Sequence, residues 1–297
     1  MAAPVTIGRV VAAALFIAGL CTGSAAHDDD HSPTFADGYW MIAADFHVHV
    51  FLGDGALMPW DIAREAARQG LDAVALTNHN QMIAADLAAW LPRPPGALLI
   101  PGDEITAPAF HMTAIGLEHA VDWRGSLPAT AAAVHAQGAA AIVAHPAGIQ
   151  RGVVDADAAN AIDGIEVAHP MMDLDERDRR DLTDAYANAR RTKPTIAPIG
   201  STDFHVLAPI GLCRTYVFAH DVTQAAIVDA IRSGRTVACD SHGNVYGEPA
   251  LARVAEPECQ LSAHRRQTRS PLNQLALGCT WFGLVGLVFS AFPHRRP

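Results

Sequence analysis

The chain has 297 residues, half of them hydrophobic and 18% charged, enough apolar material for one sizeable α/β core. Its formal net charge is -10, so the basic footprint of a nucleic-acid-binding protein is missing. Fifteen histidines are the unusual count, and the five cysteines match neither a zinc knuckle nor a paired framework, leaving room for one disulfide of unfixed partners.

At the N-terminus, Arg9 precedes an apolar run from Val10 to Cys21, then Ser24-Ala25-Ala26 and the acidic stretch His27–His31. An apolar run of roughly a dozen residues closed by small ones predicts a secretory signal segment over residues 1–26, processed after Ala26. From Met41 onward, short apolar runs alternate with amphipathic stretches. A strand is predicted at Met41–Ala44, then a helix over Pro59–Gln69 with proline in its first turn and Gly70 at its end. Asp72–Thr77 is the next strand, Met82–Trp90 a helix, and Ala97–Pro101 and Met112–Leu117 strands. Ser126 caps a helix to Gln137, closed by Gly138.

The alternation continues with a strand at Ala139–Ala144, a helix at Asp155–Ala161, a strand at Gly164–Ala168 and a charged helix at Leu174–Arg191. Thr195–Ile199 and Thr215–Ala219 follow as strands, Thr223–Ser233 as a helix and Arg235–Ala238 as a closing strand. Continuous apolar strands alternating with helices predict a parallel sheet or barrel covered by helices, one domain over residues 41–240. Residues 241–274, with Pro249, Pro257 and Pro271, read as a loosely ordered linker. Leu275–Phe292 is uncharged and, at about 18 residues, long enough to cross a bilayer, with a buried helix as the alternative. The cationic His294-Arg295-Arg296 beyond it predicts a cytoplasmic end, although Arg265, Arg266 and Arg269 flank the other side. The two ends together predict an exported body anchored to the membrane through its C-terminal helix.

The chemistry sits where these strands end. Asp45-x-His47-x-His49 follows the first strand, His79 the second and Glu104 the third; His145, His169 and Asp203-x-His205 follow later ones. A parallel barrel opens its C-terminal strand ends on one face, so these residues would converge on one rim. Imidazoles mixed with a few carboxylates suit Zn, Mn or Fe. Glu104 has two oxygens with which to bridge cations, and Asp54, in Gly53-Asp54-Gly55, adds a ligand from the loop above the first strand. Nine candidate ligands exceed the needs of one cation, so two or three divalent ions are implied. His119 and His135 read as surface residues, and the alternating charges of Asp173–Asp184 as an exposed helix face.

The stretches ADFHVH with GDG, ALTNHN, PGDEIT, VAHP, IEVAH and GSTDFH, in this order over residues 45–205, resemble the motifs of the PHP (polymerase and histidinol phosphatase) family of metallohydrolases. The resemblance implies a distorted (β/α)7 barrel with two or three metals. It implies that His47, His49, Glu104 and Asp203 hold one metal, Glu104, His145 and His169 a second, and Asp54, His79 and His205 a third. The family usually carries Asp where this chain has Asn78, a position read as supporting His79 rather than binding metal. His111, following the Glu104 motif, resembles the CehA/McbA-like branch, where carbamate and ester substrates are known.

The expected nucleophile is a hydroxide bridging two metals, held by Glu104 and Asp203, with His111 as a further catalytic residue. Arg151 and Arg214 are the candidate cations for an anionic substrate. The function expected is an exported, membrane-tethered phosphoesterase acting on a small-molecule phosphate ester. A carbamate, amide or ester hydrolase on the same site is the first alternative, and a non-catalytic membrane-associated metal-binding protein the second. The oligomeric state is not legible.

Overall fold

The computed structural model describes residues 3–25, 32–90, 96–206, 209–264 and 271–291. The chain divides into two compact units, residues 30–265 and a terminal unit of residues 1–29 with 266–297.

The larger unit opens with a hairpin of β1 (Thr34–Ala36) and β2 (Tyr39–Val48), whose turn residues Asp37 and Gly38 both have positive φ. Then come α2 (Pro59–Arg68), β3 (Ala73–Leu76), α3 (Ile83–Trp90), β4 (Leu98–Thr106) and β5 (His111–Ile115), with α1 belonging to the terminal unit below. The series continues through α4 (Leu127–His135), β6 (Ala140–Val143), α5 (Ala156–Ala161), β7 (Gly164–Ala168) and α6 (Glu176–Thr192). It closes with β8 (Ala197–Gly200), β9 (Arg214–Ala219), α7 (Gln224–Arg232), β10 (Thr236–Cys239), β11 (Val245–Gly247) and α8 (Pro249–His264). Local chemistry sets several starts: Ser126, Asp155, Asp175 and Thr223 each accept a backbone N–H at the head of α4, α5, α6 and α7.

The strands form one mixed sheet in the order β11-β10-β9-β2-β3-β4-β5-β6-β7-β8. β2, β3 and β4 are parallel, as are β6, β7 and β8, but β5 runs antiparallel to both its neighbours and β9 antiparallel to β2. The sequence predicts a parallel sheet or barrel, and these two antiparallel strands depart from it. The short connection Ala107–Phe110 explains the difference, because a parallel partner would need a crossover of a dozen residues or more.

The sheet curls into a nearly closed barrel whose ends meet through threonine side chains. Thr215 Oγ1 donates to Gly200 O at 2.9 Å and accepts from Gly200 N at 3.0 Å, while Thr236 Oγ1 donates to Pro198 O at 2.9 Å. Gly200 is required there, since a Cβ would stand 2.4 Å from Arg214 O. The core packs Ile42, Ala44 and Phe46 of β2 with Ile100, Ile142, Ile199 and Val217, and α7 adds Ile227 and Ile231.

Residues 241–264 are built rather than loose. β11 pairs with β10, Pro249 begins α8 rather than breaking structure, and a Cys239–Cys259 disulfide ties α8 to β10. The proline count misled because a proline in a first turn and one later in a helix look the same as linker prolines.

The terminal unit consists of α1 (Ala3–Ala25) and α9 (Pro271–Ala291), packed on each other. A Cβ at Gly19 would lie 2.5 Å from Thr280 N, and one at Gly283 would lie 2.3 Å from Phe16 N. Among the described residues no helix is long and apolar enough to cross a membrane, which corrects the transmembrane reading of residues 275–292. The physical reason is composition: Gln274, Thr280 and three glycines interrupt the apolar run of α9, and its small residues serve close packing on α1. The segment read as a signal forms α1. The processing point after Ala26, the acidic run to His31, Arg265, Arg266, Arg269 and His294–Arg296 lie outside the described residues.

Candidate metal centre

The ends of β2, β3, β4, β6, β7 and β8 bring their following residues to one rim of the barrel. β5 runs the other way, so its first residue, His111, pairs in register with Thr106 at the end of β4 and joins the same rim. Ladder irregularities lie between Asp45 and Val48 on β2 and between Glu166 and Ala168 on β7, where strands must re-aim side chains.

Among the described residues, three groups of potential ligand atoms gather there. In the central one, His47 Nε2 lies 3.3 Å from Glu104 Oε2 and 3.2 Å from Asp203 Oδ1, and His49 Nε2 lies 3.2 and 3.0 Å from the same two oxygens. In the second, Glu104 Oε1 stands 2.8 Å from His111 Nδ1 and 3.4 Å from His145 Nε2. In the third, Asp54 faces His49 Nδ1 at 3.0 Å, His79 Nε2 at 3.3 Å and His205 Nε2 at 3.1 Å. Glu104 therefore gives one oxygen to each of two groups, and His49 gives one nitrogen to each of two.

All nine expected ligands lie in or beside these groups, with one regrouping. His111 stands where His169 was expected; His169 Nε2 instead lies 3.5 Å from Asp203 Oδ2, on the outer side of that carboxylate.

The donor set fits cations on geometry alone. Among the described residues, His47 Nε2, His49 Nε2, both oxygens of Glu104, His111 Nδ1, His169 Nε2 and Asp203 Oδ1 are buried and face one another without a well-aligned hydrogen bond. Each such atom costs roughly 1–3 kcal/mol if left unpaired, and native proteins show few of them. Separations of 3.0–3.3 Å between the nitrogens and oxygens of the central group suit ligands sharing an ion at about 2.0–2.2 Å.

Burial alone would push Asp203 upward, but His47, His169 and His49 around it hold its carboxyl far below the ordinary range. Glu104 behaves the same way: burial raises it, and His47, His111 and His145 bring it well below. The ionised carboxylate is the form that ligates a cation.

A second layer orients the ligands. Glu166, fully buried on β7, accepts His47 Nδ1–H at 2.9 Å and His145 N–H at 2.7 Å, which turns the free Nε2 of His47 toward the central group. Asp45 accepts from Gly211 N at 2.9 Å, Thr202 N at 3.1 Å, His47 N at 3.2 Å and the Thr202 hydroxyl, tying β2 to the segment that carries Asp203. Burial pushes Asp45 up to about 6 against those hydrogen bonds.

Asn78 Oδ1 accepts from Val50 N at 2.8 Å, and a Cβ at Gly53 would lie 2.6 Å from Asn78 Cγ. Asn78 thus supports the Asp54 loop. Four non-glycine residues of the rim, Leu52, Asn80, His145 and Asp203, hold positive φ, the kind of strain that gathers at functional sites.

Sequence reasoning passed over Glu166, Asp45 and Thr202 as supports. The available signal for Glu166 was a lone carboxylate inside an apolar strand, which burial makes costly unless it is paired. His135, read as a surface residue, bonds Asp163 Oδ2 through Nε2 at 2.7 Å. Both expected substrate cations are engaged by other partners. Arg151 donates from Nε to Asp181 Oδ2 at 2.6 Å, and buried Arg214 donates to Gly211 O at 2.9 Å and Gln69 O at 3.1 Å.

No protein-family model matches the chain, and no curated protein matches it. Solved structures do. A two-domain Bacteroides vulgatus protein containing a predicted PHP-like metal-dependent phosphoesterase aligns at 25% identity and TM-score 0.57, over 77% of this chain and 73% of its own. The fold is PHP-like. PsfC from Pseudomonas syringae shares it at 20% identity and TM-score 0.50, over 75% of this chain and 98% of its own.

Proposed function

We propose that the chain is a metal-dependent phosphoesterase of the PHP-like kind, acting on a small-molecule phosphate ester. The observation that carries this reading is Glu104, a buried carboxylate whose two oxygens face two different groups of histidines. A storage or transport site has no need of a shared carboxylate; a hydrolytic centre that clamps a reacting group between two cations does.

His47, His49, Glu104 and Asp203 would hold one cation, Glu104, His111 and His145 a second, and Asp54, His79 and His205 a third, with His169 on the outer oxygen of Asp203. Bound divalent cations would supply Lewis acidity to the scissile centre and lower the pKa of coordinated water toward about 7. The chain's own part is positional. Glu104 and Asp203, both held below the ordinary carboxylate range, would neutralise the cations, and Glu166, accepting the Nδ1–H of His47, would favour the tautomer that offers Nε2. Asp45 and Thr202 fix the segment that carries Asp203.

The Cys239–Cys259 disulfide favours an oxidising compartment, which supports an exported location for the body of the protein.

The test is the metal content of the full chain, followed by turnover of phosphate and carboxyl esters. Two or more ions per chain with phosphoester turnover are expected. Fewer than two ions in a folded, metal-replete sample would end the multinuclear reading, and turnover confined to carboxyl esters, carbamates or amides would replace the phosphoesterase by that class of hydrolase.

A further inference from the structure

The segments that follow the candidate ligands carry exposed apolar side chains. Leu52 follows His49, Ile83 follows His79, Ile149 follows His145, Met171 and Leu174 follow His169, and Val206 follows His205. Each lies within five residues of a rim ligand. Leu174 is 81% exposed and Ile83 59%, and Ile149 is open to solvent on all sides. Scattered single apolar residues on a surface mean nothing, but six of them repeated on successive loops around one centre are a feature of that centre.

The charges at the mouth run the same way. Among the described residues the carboxylates of Asp54, Glu104 and Asp203 form ion pairs with histidines only. Arg151 is engaged by Asp181 and Arg214 by backbone carbonyls below the rim. A site built for a small polar phosphate monoester would surround the cations with donors such as free arginines, because a dianion without them keeps much of its hydration. The segments that follow the candidate ligands instead carry exposed apolar side chains.

We infer that the centre takes esters carrying a bulky alkyl or aryl group, seated on the apolar residues of the rim, in preference to compact polar phosphate monoesters such as sugar phosphates. The inference takes the reacting group from the phosphoesterase reading and adds the group attached to it.

The test uses the metal-loaded full chain and a series of alkylphosphonate monomethyl esters, from methyl through butyl to octyl, with binding followed by calorimetry. The expected result is an affinity that rises with chain length by roughly three- to fourfold per methylene removed from water. The double variant Ile149→Ser, Leu174→Ser should flatten that rise.

An affinity independent of chain length overturns the inference. So does a rise that the double variant leaves untouched, which would seat the alkyl group elsewhere. Adsorption of the chain to phosphatidylcholine vesicles, with no length dependence among the soluble ligands, assigns the apolar rim to a lipid surface and overturns it as well. Turnover of the matching phosphate esters is read separately: length-dependent binding without turnover would sink the phosphoesterase reading and leave the apolar-group assignment standing.

Discussion

Replacing Glu166 by glutamine should weaken the central metal group without touching a ligand. In the native arrangement one carboxylate oxygen takes the Nδ1–H of His47 and the other takes His145 N–H. An amide has one acceptor and one donor end. If its oxygen stays on the His145 amide, its NH2 faces His47 Nδ1 and drives the imidazole proton to Nε2, the nitrogen that faces Glu104 and Asp203. Turning the amide round instead leaves a buried N–H of His145 facing another N–H.

Either choice loses a hydrogen bond to a charged acceptor, worth about 1.5–3 kcal/mol. Changes to such outer partners typically lower metal affinity by roughly 10- to 100-fold, which is the same range in free energy. The assay is chelator competition on the Glu166→Gln variant and the native chain, with far-UV circular dichroism to verify that the barrel is intact. Glu166→Asp, which keeps the charge but shortens the reach, should fall between them. An affinity within twofold of native in a folded Glu166→Gln protein would refute the tautomer argument.

Three further outcomes follow from the geometry. Glu104→Gln, which removes the shared carboxylate, should cost at least one bound ion per chain by elemental analysis and lower turnover by a hundredfold or more, whereas an unchanged ion count would deny the bridge. Cys239→Ser with Cys259→Ser opens a loop of sequence separation 20 and should lower unfolding free energy by about 3 kcal/mol in urea titrations under non-reducing conditions. Asp163 is pushed up by burial, yet the His135 hydrogen bond, Ala141 N and nearby Lys193 bring it below its usual value. A depressed folded-state pKa gives stability that is present above the unfolded value near 3.9 and lost as pH falls through the folded one. The stability gap between native protein and Asp163→Asn should therefore shrink steadily below about pH 4, and a gap that widens there would contradict the assignment.

What could be read from the sequence divides along a physical line. Candidate ligands at strand ends are legible, because strand periodicity and position along the chain are one-dimensional facts, and the motif resemblance groups His47, His49, Glu104 and Asp203, which lie together in the structure. Membership of the second group is not legible, since His111 reaches the rim only because β5 is inverted. The clue lay in the brevity of Ala107–Phe110, a connection too short for a parallel crossover, which turns β5 round and sets His111 beside Glu104.

Supports such as Glu166 and Asp45 escape for a different reason. A buried strand shows one continuous apolar run, and which of its faces meets a histidine depends on an irregularity in the ladder that leaves no residue signature. The terminal helices mark the limit of hydropathy. Apolar side chains are recorded, but the glycines that let Gly283 approach the backbone of Phe16 decide that this surface meets another helix of the same chain. Pairing is a three-dimensional property, and where it decides the outcome, at β5, at Glu166 and between α1 and α9, the sequence alone fell short.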